Sequence, residues 1–534
     1  METTHALWLL AVPVVALAVA ALARRTRIAA PLALVIAGLL VSFVPGVPNF
    51  ELNPEFVLFV FMPPLLFSAA WQSSYVNLRD NFRPITLLSV GLVLFTTLAV
   101  GWVVHLVVPG LPLPVALVLG AIVAPPDAVA AVSVAQRLGL PRRTVTILVG
   151  ESLFNDATAL TAFRVAVAAA TGAGFTWLDG AGRFGYAAVA GTLIGLVLGP
   201  PLHRLRTRLN DPLVENAVAV VAPYAAYLTA EAVHASGVIA VVVSGLYLGH
   251  RFTESPAITR LIGHSFWKIV VFLLESVVFL LIGLQLPPVL DAVSQRSWPS
   301  LAWWALVAFA VTVVARFVWL FAVSYFPIKL GLTRNRGKGE EPDWRAHVVV
   351  GWAGMRGVVS LAAAFAIPFT TRSGAPFPDR DLVLFLTFTT VLATLLVQGL
   401  TFPALIRVLR AGGADRESYT DTVAEAGAQH AAASAAISRL DELAASEELD
   451  ENVVERLRHM AEHRQLRAWE RLGGGTVPGG GEVPSATYRR LRREMLAAER
   501  ATFIRMRDER RLDDAVLARV LHELDLEEAA LQRD

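Results

Sequence analysis

The run Val118-Leu119-Gly120-Ala121-Ile122-Val123-Ala124-Pro125-Pro126-Asp127 is an apolar helix broken in its middle. Two adjacent prolines remove two backbone donors and push the residue before each out of the α region. The carbonyls of Ala121 and Ile122 lose their helical partners there, and Asp127 stands beside them. A second break lies far downstream, at Gly351-Trp352-Ala353-Gly354-Met355-Arg356-Gly357, with three glycines in seven residues. Paired broken helices in matching positions are the sequence mark of a transport site at mid-membrane.

Working outward from the breaks, apolar stretches of membrane-spanning length, about 17–25 residues, recur along the chain. Thirteen are read: 6–22, 28–45, 54–71, 84–108, 113–138, 143–171, 182–205, 213–234, 236–250, 261–286, 300–326, 345–369 and 380–410. Runs so uniformly apolar are helices, because barrel strands alternate. The breaks fall in the fifth and twelfth. An offset of seven is what two six-helix repeats with one linking helix give, and an odd offset makes the repeats inverted. The fold class is therefore an all-α polytopic membrane protein: about thirteen transmembrane helices in two inverted repeats, with helices five and twelve broken, plus a cytoplasmic helical C-terminal region.

Composition agrees. Of 534 residues, 55% are apolar and 17% charged, and the mean hydropathy is +0.56. Soluble chains sit near 45–50% apolar and about 25% charged. The absence of cysteine excludes a disulfide scaffold, a thiolate metal site and a Cys nucleophile. A net charge of +2 gives no case for nucleic acid as a partner; the partner is the lipid bilayer. The first 411 residues hold 19 acidic and 28 basic residues, and the remainder 25 and 18. Two domains follow: a transmembrane part, 1–410, and a charged helical tail, 411–534, divided by a Gly-rich linker at 473–481. In the tail, Tyr488 to Leu531 reads as an amphipathic or paired helix, and Arg489, Arg490, Arg492 and Arg493 offer charge to anionic lipid or an acidic partner.

No Lys or Arg precedes the first span, whereas Arg24, Arg25 and Arg27 follow it, the reverse of a signal peptide. Eighteen loop Lys and Arg residues fall on one side, and four (Arg183, Arg296, Arg372 and Arg380) on the other. Cytoplasmic loops collect positive charge, so the N-terminus is expected outside and the tail in the cytoplasm.

Most charges sit at loop ends, and only a few fall in the middle of the spans: Asp127, Glu151, Asp156, Glu275, Arg164, Arg316 and Arg356. A charge at the bilayer centre costs several kcal/mol, so such residues are paired, face a wet cavity or do the work of the protein. Four acids against three arginines suggests that most are paired and one acid is left to meet a cation. The densest cluster is Glu151-Ser152-Leu153-Phe154-Asn155-Asp156. Positions four apart share a helix face, so Ser152 and Asp156 form one polar stripe and Glu151 and Asn155 the next. Hard cations want several oxygen ligands. Asp156, Ser152, Asp127 and the freed carbonyls are the expected set. A proton competing with the cation for Asp156 is enough for an exchanger. Glu151 is expected to pair with Arg356, as a clamp between helices six and twelve, and Glu275 with Arg316. His105 and His234 sit near span ends and read as interfacial. No role is assigned to Arg164.

Other readings stay open at this point. A channel or another transporter on the same fold would move its solute without proton coupling. A cation sensor would use the tail as its output. A membrane hydrolase would need His-Glu-x-x-His or a Ser with a nearby base, and neither pattern occurs.

The motifs also resemble those of a known family. Glu151–Asp156, Pro126-Asp127, Gly354-Met355-Arg356-Gly357, Phe61-Met62-Pro63-Pro64-Leu65-Leu66-Phe67 and Phe272-Leu273-Leu274-Glu275-Ser276-Val277-Val278-Phe279 are similar, in order, to signatures of the cation:proton antiporter 1 family, the sodium/proton exchangers. The resemblance covers about residues 1–410. It implies a thirteen-helix fold with crossed broken helices, a homodimer, and exchange of one Na+, Li+ or K+ for one H+ at the cell membrane. It casts Asp156 as the ion- and proton-binding acid, Asn155 as its supporting amide, Ser152 as a hydroxyl ligand and Asp127 as the second acid. Glu151 and Arg356 become the steadying ion pair. Asn155 in place of an Asp favours electroneutral exchange. No cofactor is implied, since the cation is substrate. Two positions depart from the family pattern: Ser68 stands where some relatives have an acid, and Pro126 where many have Thr.

Overall fold

The structure is a computed structural model. It describes residues 3–26, 30–44, 54–127, 131–132, 134–135, 138–172, 177–209, 211–329, 344–409, 414–447, 449–470, 484–509, 511–512 and 514–533. The described residues are helical throughout, apart from turns and one isolated β-bridge between Thr370 and Pro376. The chain divides into two compact units, Met1–Gly413 and Ala414–Asp534.

In the first unit the main helices are α1 (Thr3–Thr26), α2 (Ala30–Ser42), α3 (Pro54–Gln72), α4 (Phe82–Val107), α5 (Leu113–Val123), α6 (Arg142–Ala170), α7 (Trp177–Leu209), α8 (Pro212–Ala232), α9 (Gly237–His250), α10 (Ala257–Leu284), α11 (Trp298–Lys329), the half-helices α12a (Trp344–Trp352) and α12b (Val358–Phe365), and α13 (Arg380–Leu409), with short helical segments at Tyr75–Asp80, Arg251–Glu254 and Leu286–Ala292. Among the described residues six are long and apolar enough to cross a membrane: α4, α7, α8, α10, α11 and α13. Shorter apolar helices lie at Ala11–Ala23, Ala30–Ser42, Phe59–Gln72 and Leu113–Val123. Such a set makes this a multi-pass membrane protein.

Local sequence sets the helix ends and crossings. Asp211 caps α8, accepting from the Leu213 and Val214 amides at 2.8 and 3.3 Å, with Pro212 at the first helical position. Ser236 caps α9 through the Ile239 amide at 3.3 Å. Gly38 and Gly283 let α2 and α10 cross with backbones in contact: a Cβ on Gly283 would lie 2.7 Å from the Gly38 Cα. In α4 a π-helical turn, Leu87–Leu92, re-registers the ladder, and the Trp319 indole N–H donates to the Leu87 carbonyl at 3.0 Å.

Both expected breaks are present. α5 stops at Val123, the chain runs non-helically to Asp127, and residues 131–132 and 134–135 are again helical. α12a and α12b are separated by Ala353–Gly357. The two breaks touch, because the Asp127 amide donates to the Met355 carbonyl at 2.6 Å.

The second unit holds α14 (Ala414–Ser446), α15 (Glu451–Trp469), α16 (Pro484–Asp508) and α17 (Asp514–Arg533). The segment Tyr488 to Leu531 is thus two helices. They pack through Leu496, Leu524 and Leu531, and Arg492 is held by Glu499 and Glu527 at 2.9 and 2.7 Å. The linker at 473–481 lies outside the described residues.

Candidate functional site

α6 brings Glu151, Ser152, Asn155 and Asp156 to the point where the breaks meet. Glu151, Asn155 and Asp156 are buried. Glu151 and Ser152 do not share a destination. The Glu151 carboxylate is gripped by both terminal nitrogens of Arg316 on α11, Nη1 to Oε1 at 2.5 Å and Nη2 to Oε2 at 2.8 Å, with each side chain 1% exposed. Arg316 Nε also donates to the Val350 carbonyl at 3.1 Å, tying α11 to α12a.

Both expected ion pairs are thereby corrected. Glu151 meets Arg316, not Arg356, and Glu275 does not meet Arg316. The reason lies in the backbone. A half-helix ending inside a membrane leaves carbonyls with no partner and a negative dipole end. Arg356 serves that end of α5: its Nε donates to Val123 O at 2.8 Å and its Nη2 to Ala124 O at 3.5 Å. Its Nη1 donates to the Gly354 carbonyl, and its amide donates to Thr394 Oγ1 at 3.1 Å. Its charge is spent on carbonyls. The opposite device serves α12b. The Asp127 carboxylate lies against Gly357, the residue preceding that helix, at the positive end of its dipole. Each break thus carries the side chain that neutralises the other's half-helix.

Three other carbonyls at the break are already engaged. Val123 and Ala124 are taken by Arg356, and Pro126 O accepts from Asn155 Nδ2 at 2.7 Å. Asn155 therefore braces the break; its Oδ1 is buried without a hydrogen-bond partner.

Beside the crossing is a cavity of about 190 Å³, well above what one water needs. Its polar lining is Asp127, Ser152, Asp156, Glu275 and Ser360, and the rest is mostly apolar, including Phe61, Met62 and Phe279. Among the described residues no Lys or Arg lines it. The expected Asp127, Ser152 and Asp156 are brought together; Asn155, Glu151 and Arg356 stand behind as supports. Sequence reasoning missed Glu275 and Ser360 as lining residues. Glu275 was detectable as an acid in an otherwise apolar span, and Ser360 by its place three residues after Gly357. Arg164 binds Glu231 on α8 at 3.2 Å, at the periphery. Ser68 is buried and accepts from Gln72 Nε2 at 2.8 Å. His105 Nδ1 meets the Leu111 carbonyl at 2.7 Å beside the end of α4, and His234 follows the end of α8 with φ of 56°.

Comparison with known proteins shows the family of the chain. Residues 13–408 match the family described as sodium/hydrogen exchanger, transmembrane. A Na+/H+ antiporter of Aphanothece halophytica is 35% identical over 399 residues, covering 74% of this chain and 72% of that protein. A sodium, potassium, lithium and rubidium/H+ antiporter of Bacillus pumilus is 32% identical over 386 residues, 70% of this chain and 57% of that one. A protein of Mycobacterium tuberculosis named as an uncharacterized Na+/H+ exchanger is 34% identical over 519 residues, 96% of this chain and 93% of that one. Among solved structures, the sodium proton antiporter MjNhaP1 from Methanocaldococcus jannaschii superposes with a TM-score of 0.60 at 21% identity, covering 76% of this chain and 98% of that one, a likeness of fold. The chain belongs to the sodium/hydrogen exchanger family.

Proposed function

We propose that the chain exchanges a monovalent cation for a proton across the plasma membrane, by competition of the two for Asp156. The observation that carries this is the shared cavity: Asp156, Asp127 and Ser152 line it at the crossing of two broken helices, and among the described residues no basic side chain does. A bare carboxylate in such a place is costly to carry across a low-dielectric barrier. A proton or a cation on Asp156 relieves that cost, and either leaves the same net charge in the cavity. The site can then turn between the two faces only when occupied, which couples the fluxes. Ser152 and Asp127 add oxygens for the cation. Na+ is the proposed main substrate, with Li+ and K+ as further ones; the Bacillus relative's name spans Na+, K+, Li+ and Rb+.

The exchange is proposed to be electroneutral, one cation for one proton, because the residue next to Asp156 is the neutral Asn155. The same reading gives thirteen spans in two inverted repeats, an outside N-terminus, a cytoplasmic tail, a homodimer and no resident cofactor. In everted vesicles holding a preformed pH gradient, adding Na+, Li+ or K+ should collapse the gradient, and Asp156→Asn should abolish the response. An unchanged response in that variant would refute the assignment.

A further inference from the structure

We infer that the cation site extends beyond α6 and the α5 break onto α12b and α10, where Ser360 supplies a second hydroxyl ligand and Glu275 a third carboxylate. The inference rests on the exchanger reading above. Ser360 is 1% exposed and lines the cavity, and its Oγ has no hydrogen-bond partner. Many serines and threonines of the bundle are satisfied by their own helices: Thr97, Thr161, Thr192 and Ser244 each donate to a carbonyl three or four residues back, at 2.8, 2.8, 2.8 and 3.0 Å. Thr96, Thr259, Thr387 and Thr390 are, like Ser360, buried without a partner, but among the described residues only Ser360 of these five lines the cavity. Ser360 is the third residue of α12b, so the carbonyls it would need, those of Arg356 and Gly357, precede the helix. The break strips this hydroxyl of its internal acceptor and leaves it at the cavity wall. A buried hydroxyl with no protein partner is a group for a ligand to use.

Glu275 reaches the same cavity from α10. Arg316, the buried arginine expected to hold it, is committed to Glu151. With these two residues the cavity has oxygen-bearing side chains on four sides: Asp127 after α5, Ser152 and Asp156 on α6, Glu275 on α10 and Ser360 on α12b. That is the multi-oxygen shell a desolvated alkali cation requires. A hydroxyl adds ligation without adding charge, so Ser360 bears on cation affinity and ion choice and not on the proton step. Glu275 adds charge, so it bears on both.

The test uses the full chain in proteoliposomes, with apparent KM measured for Na+, K+, Li+ and Rb+, together with the pH profile at saturating cation. Ser360→Ala should raise cation KM about tenfold, the scale of one lost polar ligand. It should alter the order of the four ions and leave the pH profile in place. Ser360→Thr, which keeps the hydroxyl, should stay within about threefold of the parent. Glu275→Gln should raise KM and also move the pH profile. A cation-dependent rise in Tm of the detergent-solubilised chain, reduced in Ser360→Ala and kept in Ser360→Thr, reports binding apart from turnover. Parent KM and ion order in Ser360→Ala would overturn the role of Ser360, and an unchanged KM in Glu275→Gln would overturn that of Glu275. Either result alongside a dead Asp156→Asn leaves the exchanger reading standing. No exchange by the parent, or full exchange by Asp156→Asn, overturns both.

Discussion

Removing one member of the Glu151–Arg316 pair is the sharpest way to test how the broken helices are held. Both side chains are 1% exposed, and two hydrogen bonds of 2.5 and 2.8 Å join them. In Arg316→Met the Glu151 carboxylate is left buried with no partner, and the bond from Arg316 to Val350 is lost as well. Breaking a buried pair from one side costs about 3–5 kcal/mol. The double variant Glu151→Gln/Arg316→Met has no stranded charge and should recover about 2–3 kcal/mol of that loss. Glu151 with Arg356 should couple by less than ~1 kcal/mol, since Arg356 gives its donors to carbonyls. The assay is thermal unfolding of the full chain in lipid–detergent micelles, followed by fluorescence of its 12 tryptophans, for the two double-mutant cycles. Additive losses for Glu151 and Arg316, or a larger coupling of Glu151 to Arg356, would refute the pairing.

Other outcomes follow from the same geometry. Gly357→Ala places a Cβ against the Asp127 carboxylate; it should cost about 1–3 kcal/mol and depress transport, measured as Tm and vesicle exchange, and a variant matching the parent in both would count against the close approach. Asn155→Ala removes the bond to Pro126 O at 2.7 Å and should lower Tm by the equivalent of about 1–2 kcal/mol while slowing exchange; no change in either would show the brace to be idle. In the tail, N–H donors of Arg492 hold the Glu527 carboxyl below its ordinary range. A lowered carboxyl stabilises the fold above its unfolded-state value and loses that contribution as pH falls through the folded-state one. Amide exchange in α16 and α17 of the full chain, corrected for intrinsic rates, should therefore rise as pH falls through and below the ordinary carboxylate range. Arg492→Gln should flatten that rise. The effect is under ~1 kcal/mol because the pair is partly exposed, and an unaltered pH dependence in the variant would contradict it.

How far the sequence reaches is clear from particular residues. The breaks at Pro125-Pro126 and Gly351–Gly357 were legible because proline and clustered glycine act locally on the backbone. The gathering of Ser152 and Asp156 was legible because a helix repeats every four residues. The ion pairs were not. Counting acids against arginines assumes that every arginine answers an acid, and here Arg356 answers carbonyls at the end of α5 while Arg164 answers Glu231 outside the core. Which helix faces which is a property of tertiary packing, so Arg316 could be matched to Glu151 only once α6 and α11 were placed. Ser360 escaped for a similar reason, since a serine in an apolar helix normally bonds to its own backbone, and the exception shows only when the break is seen in three dimensions.

Competition at Asp156 has a direct kinetic signature, the dependence of apparent Na+ KM on pH in proteoliposomes at zero membrane potential. If proton and cation exclude one another on that carboxylate, KM should rise toward tenfold per pH unit on the acid side while the rate at saturating Na+ holds steady. A KM that stays constant while the saturating rate falls with pH would mean that the proton acts elsewhere.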